Sequence, residues 1–124
     1  EGILRQAKEN GTGFIAFSPL AQGLLTNRYL NGIPDDSRIA KGGFLKKEAL
    51  TDEVLKKIKA LNELAIRRGQ TLAEMALAWI LKDDLVTSVI IGASSVGQLA
   101  DNLKAIDNTA FSAEELKNIY QIVK

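Results

Sequence analysis

The chain has 124 residues, enough for one core: a domain somewhat above this size buries roughly two thirds of the surface its unfolded chain exposes. Its 16 basic and 15 acidic residues leave a net charge of +1, which calls for neither nucleic acid nor an anionic membrane as partner. With no cysteine and no histidine it excludes disulfides, thiolate nucleophiles, Ser-His and Cys-His catalysis and the commonest metal ligands, so no metal site is expected.

Ile3 to Glu9 reads as the end of a helix, stopped by Asn10-Gly11, two residues that tolerate the left-handed cap conformation. Thr12 to Phe17 reads as a strand, continuously apolar after Gly13, which suits a strand covered on both faces. Ser18 to Gly43 is long and irregular and holds both prolines, Pro19 and Pro34; a loop of this length in a compact domain is usually functional or mobile, and Gly42-Gly43 offers it a hinge. Thr51 caps a helix to about Arg68 with Val54, Leu55, Ile58, Leu61, Leu64 and Ala65 on one face, and Gly69 ends it.

Thr71-Leu72-Ala73-Glu74 is a capping box opening a helix to about Lys82, apolar on most sides and therefore deeply packed. Val86 to Ile91 is a second strand, apolar and β-branched. Ser95-Val96-Gly97-Gln98 is a further capping-box pattern, for a helix to about Ile106, and Ser112-Ala113-Glu114-Glu115 opens a last helix to the C-terminus. No apolar run approaches the length of a membrane span, and the opening Glu1-Gly2-Ile3-Leu4-Arg5-Gln6 lacks the shape of a signal peptide, so a cytoplasmic protein is expected. The order is α/β, but two parallel strands do not complete a sheet, so the chain is expected to be part of something larger. A start in mid-helix without methionine agrees with that expectation.

Four constellations have chemical promise. Gly92-Ala93-Ser94-Ser95 runs from a strand straight into a helix, where unpaired N–H groups and the helix dipole favour a phosphate; a plain turn at Gly92 and a plain cap at Ser95 account for the same residues. Gln98, Asp101 and Asn102 share a face of the first helical turns, either toward a ligand or toward solvent. Phe17, at a strand end, can stack on a flat heteroaromatic ligand or sit in a core. Arg28 and Arg38 in the long loop have the planar fork that suits phosphate, and are equally at home in water.

Taken together, Phe14-Ile15-Ala16-Phe17-Ser18-Pro19-Leu20-Ala21-Gln22-Gly23 and Ser88-Val89-Ile90-Ile91-Gly92-Ala93-Ser94-Ser95, with Gln98-Leu99-Ala100-Asp101-Asn102 following, resemble the aldo-keto reductase family. There the seventh strand ends in aromatic-Ser-Pro-Leu-Ala-x-Gly, and the eighth in Gly-Ala-Ser followed by Gln-Leu-x-x-Asn. The likeness is to the branch holding the potassium-channel β subunits and similar bacterial reductases, and it spans Glu1 to Lys124. It implies that residues 1–124 are the C-terminal segment of one (β/α)₈ TIM-barrel domain, strands seven and eight with their helices. The helices from Asp52 and from Ser112 would be additions to the barrel repeat.

The resemblance also implies NADP as cofactor. Gly92, Ser94, Gln98, Asp101 and Asn102 would hold its adenosine end, with serine on the 2′-phosphate and Gln98 and Asn102 near adenine. Asp101 departs from the glutamate common in the family and has one methylene less reach. Phe17 would stack on nicotinamide, Ser18, Pro19, Leu20, Ala21 and Gln22 would line the pyrophosphate, and Arg28 and Arg38 would meet the phosphates. The family's catalytic Asp, Tyr, Lys and His lie on earlier strands; neither Tyr29 nor Tyr120 matches that tyrosine, so no catalytic residue is assigned here.

The activity implied is hydride transfer between NADPH and an aldehyde, ketone or alcohol, with a small carbonyl compound as substrate and no nucleic-acid or membrane partner. On that view the isolated segment is inactive and self-associates. Two other readings stay open: an NADP-binding regulatory subunit of the channel-β type, and a truncated piece without activity of its own.

Overall fold

The structure, a computed structural model, describes residues 2–37, 39–42 and 47–124. Its elements are α1 (Gly2–Glu9), β1 (Ile15–Phe17), α2 (Asp52–Arg67), α3 (Leu72–Ile80), β2 (Ser88–Ile90), α4 (Val96–Leu103) and α5 (Ala113–Val123), with short 3₁₀ turns between them. The two strands pair in parallel, with Ile15 opposite Ser88, Ala16 opposite Val89 and Phe17 opposite Ile90. Both strands therefore end at the same edge of the sheet, the edge at which parallel α/β proteins place ligands.

Capping chemistry starts the helices where the sequence predicts. The Thr51 hydroxyl accepts from the Val54 N–H at 3.2 Å and opens α2, with Asp52 and Glu53 set against the positive end of its dipole. At α3, Thr71 and Glu74 exchange both bonds of a capping box, at 3.1 and 3.0 Å, and at α5 Ser112 and Glu115 do the same at 3.1 and 2.7 Å. The apolar face read along α2 packs as expected: Ile58, Leu61, Leu64 and Ala65 join Leu72 and Met75 of α3 and Ile119 of α5 in the main core.

The C-terminal end of α2 is pinned to the start of α5 by Arg68. Its side chain, 3% exposed, pairs with Glu115 at 2.7 Å, donates to Gln70 Oε1 and the Ala110 carbonyl at 2.9 Å each, and lies 3.8 Å over the Phe111 ring. At the base of the sheet the Phe14 N–H donates to Thr87 Oγ1 at 3.0 Å and the Thr87 N–H to the Phe14 carbonyl at 2.8 Å. Glycine at 13 permits this approach, since a Cβ there would stand 3.2 Å from Thr87 Oγ1. An ion pair between Lys8 and Asp84 ties α1 to the turn before β2 and holds the Asp84 carboxyl below its usual range, by hydrogen bond first and charge second.

Several expectations are corrected. The strands are shorter than Thr12 to Phe17 and Val86 to Ile91, because each has one neighbour among the described residues and the ladder closes only where both are extended. They are not covered on both faces here: Ile15 and Ile90 are 60% and Phe17 is 81% exposed, while the core lies among α2, α3 and α5. α3 ends at Ile80 rather than near Lys82. α4 gives way after Leu103 to a 3₁₀ turn, Lys104–Asp107, which tightens its last turn.

Candidate functional site

A cleft of about 1170 Å³ opens at the carboxyl ends of β1 and β2. That is larger than the roughly 300–1,000 Å³ of an ordinary small-molecule site and suits an extended ligand. One wall is the segment from Phe17 to Tyr29. The other runs from Ile90 to Ser94 and continues along Gly97, Gln98, Asp101 and Asn102 of α4, with Thr71, which caps α3, and Ala73 of α3 between them and Asp36 and Lys41 of the long loop at the rim.

The first wall is a strained turn. Ser18, Ala21 and Gln22 have φ of 56°, 47° and 58°, and Gly23 has 101°. A left-handed conformation costs a non-glycine residue about 1–2 kcal/mol, so the turn stands only because bonds over-determine it. The Ala21, Gly23 and Leu24 N–H groups donate to the Ser18, Leu20 and Ala21 carbonyls at 3.1, 2.9 and 3.2 Å. Thr26 then links this turn to the next: its hydroxyl donates to the Gly23 carbonyl at 2.7 Å and accepts from the Arg28 N–H at 3.1 Å, which caps the 3₁₀ turn Asn27–Tyr29. Tyr29, 1% exposed, backs the turn, its ring 3.6 Å from where a Cβ on Gly23 would lie. Arg28 is thereby carried to the cleft, where its Nη2 donates to Asp36 Oδ2 at 2.6 Å.

The second wall is held by Gln98. Its Oε1 accepts from both the N–H and the hydroxyl of Ser94, at 2.7 and 2.9 Å, while its own N–H donates to Ser95 Oγ at 3.1 Å. The predicted capping box is therefore half formed. Ser95 caps α4, but the Gln98 side chain turns to the paired donors of Ser94 instead of the Ser95 N–H. Asp101 accepts from Lys104 at 2.9 Å, which raises the Lys104 ammonium above its usual value through that hydrogen bond first and the carboxylate charge second. Asn102 is 5% exposed, and its Nδ2 has no hydrogen-bond partner among the described residues.

Of the residues expected to bind a ligand, Phe17, Ser18, Pro19, Leu20, Gln22, Arg28, Gly92, Ser94, Gln98, Asp101 and Asn102 all line this one cleft. Ala21 does not line it; its left-handed backbone forms the bend instead. Arg38 lies outside the described residues, as does Gly43 of the expected hinge. Phe17 lines the cleft and is 81% exposed among the described residues. Thr26, Tyr29, Asp36, Lys41 and Thr71 line the cleft as well, although the sequence marks Thr71 only as a helix cap and Tyr29 only as no match to the family's tyrosine. Thr26 was findable as a hydroxyl two residues before Arg28, in the pattern of a short turn cap. Asp36 was not, since only the folded loop brings it to Arg28.

Among the described residues no group of three or more His, Cys, Asp or Glu side chains could hold a metal ion, and no helix is long and apolar enough to cross a membrane. Fold and site define a parallel α/β unit with an extended cleft at its strand ends. The chain belongs to the aldo/keto reductase family, whose family model matches residues 1–124. It is 52% identical over 124 residues to an L-glyceraldehyde 3-phosphate reductase of Escherichia coli strain K12, a match covering 97% of this chain and 36% of that protein. It is 43% identical over 101 residues to a probable voltage-gated potassium channel subunit beta of Arabidopsis thaliana, covering 79% of this chain and 31% of the relative. The fold matches a glycerol dehydrogenase of Gluconobacter oxydans with a TM-score of 0.75 at 24% identity, over 97% of this chain and 36% of that one. The chain thus spans about a third of the length of these relatives. NAD(P)H is the general cofactor of the family.

Proposed function

We propose that this chain is the cofactor-holding part of an NADP-dependent oxidoreductase, supplying strands seven and eight of a (β/α)₈ barrel. The observation that carries the reading is the convergence, in one cleft, of the Phe17-to-Arg28 wall and the Gly92-to-Asn102 wall. The exposed faces of Ile15 and Ile90 are then surface that the remaining barrel strands cover, while Phe17 stays open to the cleft. The E. coli relative's name supports a small aldehyde as substrate, and the same reading takes the whole protein to be cytoplasmic.

The residues present fit the dinucleotide. The buried Nδ2 of Asn102 lacks a partner among the described residues and suits a ring nitrogen, and the paired Ser94 hydroxyl and N–H, which Gln98 Oε1 occupies here, suit a phosphate oxygen that takes the place of that amide oxygen. Phe17 offers an open ring face to a planar heterocycle, and Arg28 offers charge to the phosphates. When bound, the cofactor supplies the carbon that gives or takes the hydride. This chain's part is to hold and orient: Phe17 would fix one face of the nicotinamide and keep water from it, while the strained turn would hold the pyrophosphate and the start of α4 the adenosine end. Protonation of the carbonyl oxygen would fall to residues of the earlier strands, as the resemblance implies.

The test is cofactor affinity in the full-length protein. A charge-assisted hydrogen bond is worth about 1.5–3 kcal/mol, so NADPH should bind at least about tenfold more tightly than NADH; equal dissociation constants overturn the NADP assignment. The kinship with the Arabidopsis channel subunit favours a second reading, in which the cofactor is bound as a sensor. Turnover of small aldehydes supports the oxidoreductase. Tight binding without turnover supports the sensor.

A further inference from the structure

Arg28 reaches the cleft with one edge of its guanidinium half engaged. Nη2 donates to Asp36 Oδ2 at 2.6 Å, while Nε, which faces the same way, is buried and has no partner among the described residues. Nε and Nη2 together form the edge with which arginine grips two oxygens of one oxoanion. Asp36 takes one half of that edge and leaves the other unused.

Asp36 is not needed to place Arg28. The Arg28 backbone is fixed by its N–H bond to Thr26 Oγ1 at 3.1 Å, and its stem lies against the turn, with Cδ 4.0 Å from where a Cβ on Gly23 would stand. The Asp36 side chain, by contrast, is 74% exposed, and among the described residues its carboxylate has no partner besides Arg28. An aspartate at the rim of a cleft proposed to take a polyanion also works against that ligand through its charge.

We infer that Asp36 is a resident competitor for the phosphate-bearing ligand of this cleft, a carboxylate that a ligand phosphate oxygen displaces from Nη2 of Arg28. The inference rests on the NADP reading above. An exposed ion pair is weak, at most about fivefold in an equilibrium constant, so the exchange is easily made. It lowers affinity, and it speeds release because the arginine has a partner waiting as the phosphate departs. A device that orients the fork would do the opposite, so the two roles differ in sign.

The experiment is an NADPH titration, by ligand fluorescence, of the full-length protein and its Asp36→Asn, Arg28→Met and doubly substituted forms, each first checked for a parental unfolding temperature. Asp36→Asn keeps the shape and removes the charge. It should tighten binding about three- to tenfold at low salt, with a smaller gain at high salt. In the Arg28→Met background the same change should alter affinity by less than about twofold, because the pair it acts through is gone.

Unchanged or weaker binding by Asp36→Asn, with parental binding intact, overturns the inference. So does an equal gain in the Arg28→Met background, which would make Asp36 a general field effect and not a competitor for Arg28. A parent that fails to bind NADPH overturns the functional reading instead; titration with inorganic pyrophosphate then judges Asp36 by the same sign.

Discussion

Two arginines divide the molecule. Arg68 is buried with a satisfied fork: Nε on Gln70, Nη1 on Glu115, Nη2 on the Ala110 carbonyl, and the Phe111 ring beneath it. Arg28 sits at a cleft with Nη2 on an exposed carboxylate and a buried Nε that has no partner among the described residues. The same side chain is a fastener in one place and an unfinished binding group in the other, and the difference lies in what the neighbouring chain supplies. Around Arg68 two helix ends converge with carbonyls to spare. Around Arg28 a strained turn presents the fork outward.

The sharpest way to break this contrast is to remove each arginine and measure stability. Arg68→Ala leaves Glu115 Oε1, Gln70 Oε1 and the Ala110 carbonyl without their partner and strips a surface from Phe111, so unfolding free energy should fall by about 3–5 kcal/mol, the range for breaking a buried pair. Arg28→Met should change it by under about 1 kcal/mol, as for an exposed pair, while weakening cofactor binding. Chemical denaturation of both variants checks this. Comparable losses would dissolve the distinction.

Phe17 sharpens the comparison from the ligand's side. A phenylalanine buried at a strand end would leave a cavity when truncated, but this ring is 81% exposed. Phe17→Ala should therefore unfold at nearly the parental denaturant concentration and bind NADPH more weakly by about 0.5–1.5 kcal/mol of stacking, beyond the area it covers. Parental affinity in this variant would show that the ring is no platform. A large stability loss would show that other strands bury it in the full-length protein.

The helical body was nearly all legible because its signals are local. Thr51, Thr71 and Ser112 cap the helices they precede, and the stripe from Ile58 to Ala65 is the face that packs. The cleft was legible by motif: Ser18-Pro19-Leu20 and Gly92-Ala93-Ser94 meet because parallel pairing brings both strand ends to one edge. Contacts across long separations or against local pattern stayed hidden. The left-handed run at Ala21-Gln22 breaks the preference of its own residues, the Gln98 amide passes over its capping partner for Ser94, and Asp36 meets Arg28 only after the loop folds back. The coverage expected for both strand faces is not supplied within the described residues, since an apolar run records what a strand can be buried by and not which segment does it.

The smallest effect tests whether the Arg68 fastener is electrostatic. Burial raises the Glu115 carboxyl, but the Ser112 N–H at 2.7 Å and the hydrogen bond and charge of Arg68 outweigh it and hold the group below its ordinary value. A carboxyl depressed in the folded state contributes stability that is present above its unfolded pKa, about 4.3, and is lost as pH falls through the folded value. Denaturation midpoints should accordingly decline on the acid side of about pH 4.5, and Glu115→Gln, which has one acceptor oxygen where Glu115 uses two, Oε2 for the Ser112 N–H and Oε1 for Arg68, should start lower at neutral pH and decline less steeply there. Asp84, held down by Lys8, titrates in the same direction, but its pair is exposed, so added salt should erase its part and spare that of Glu115. An acid limb of unchanged slope in Glu115→Gln at high salt would show that the Arg68 site holds through shape and hydrogen bonding, with its charge pair adding nothing.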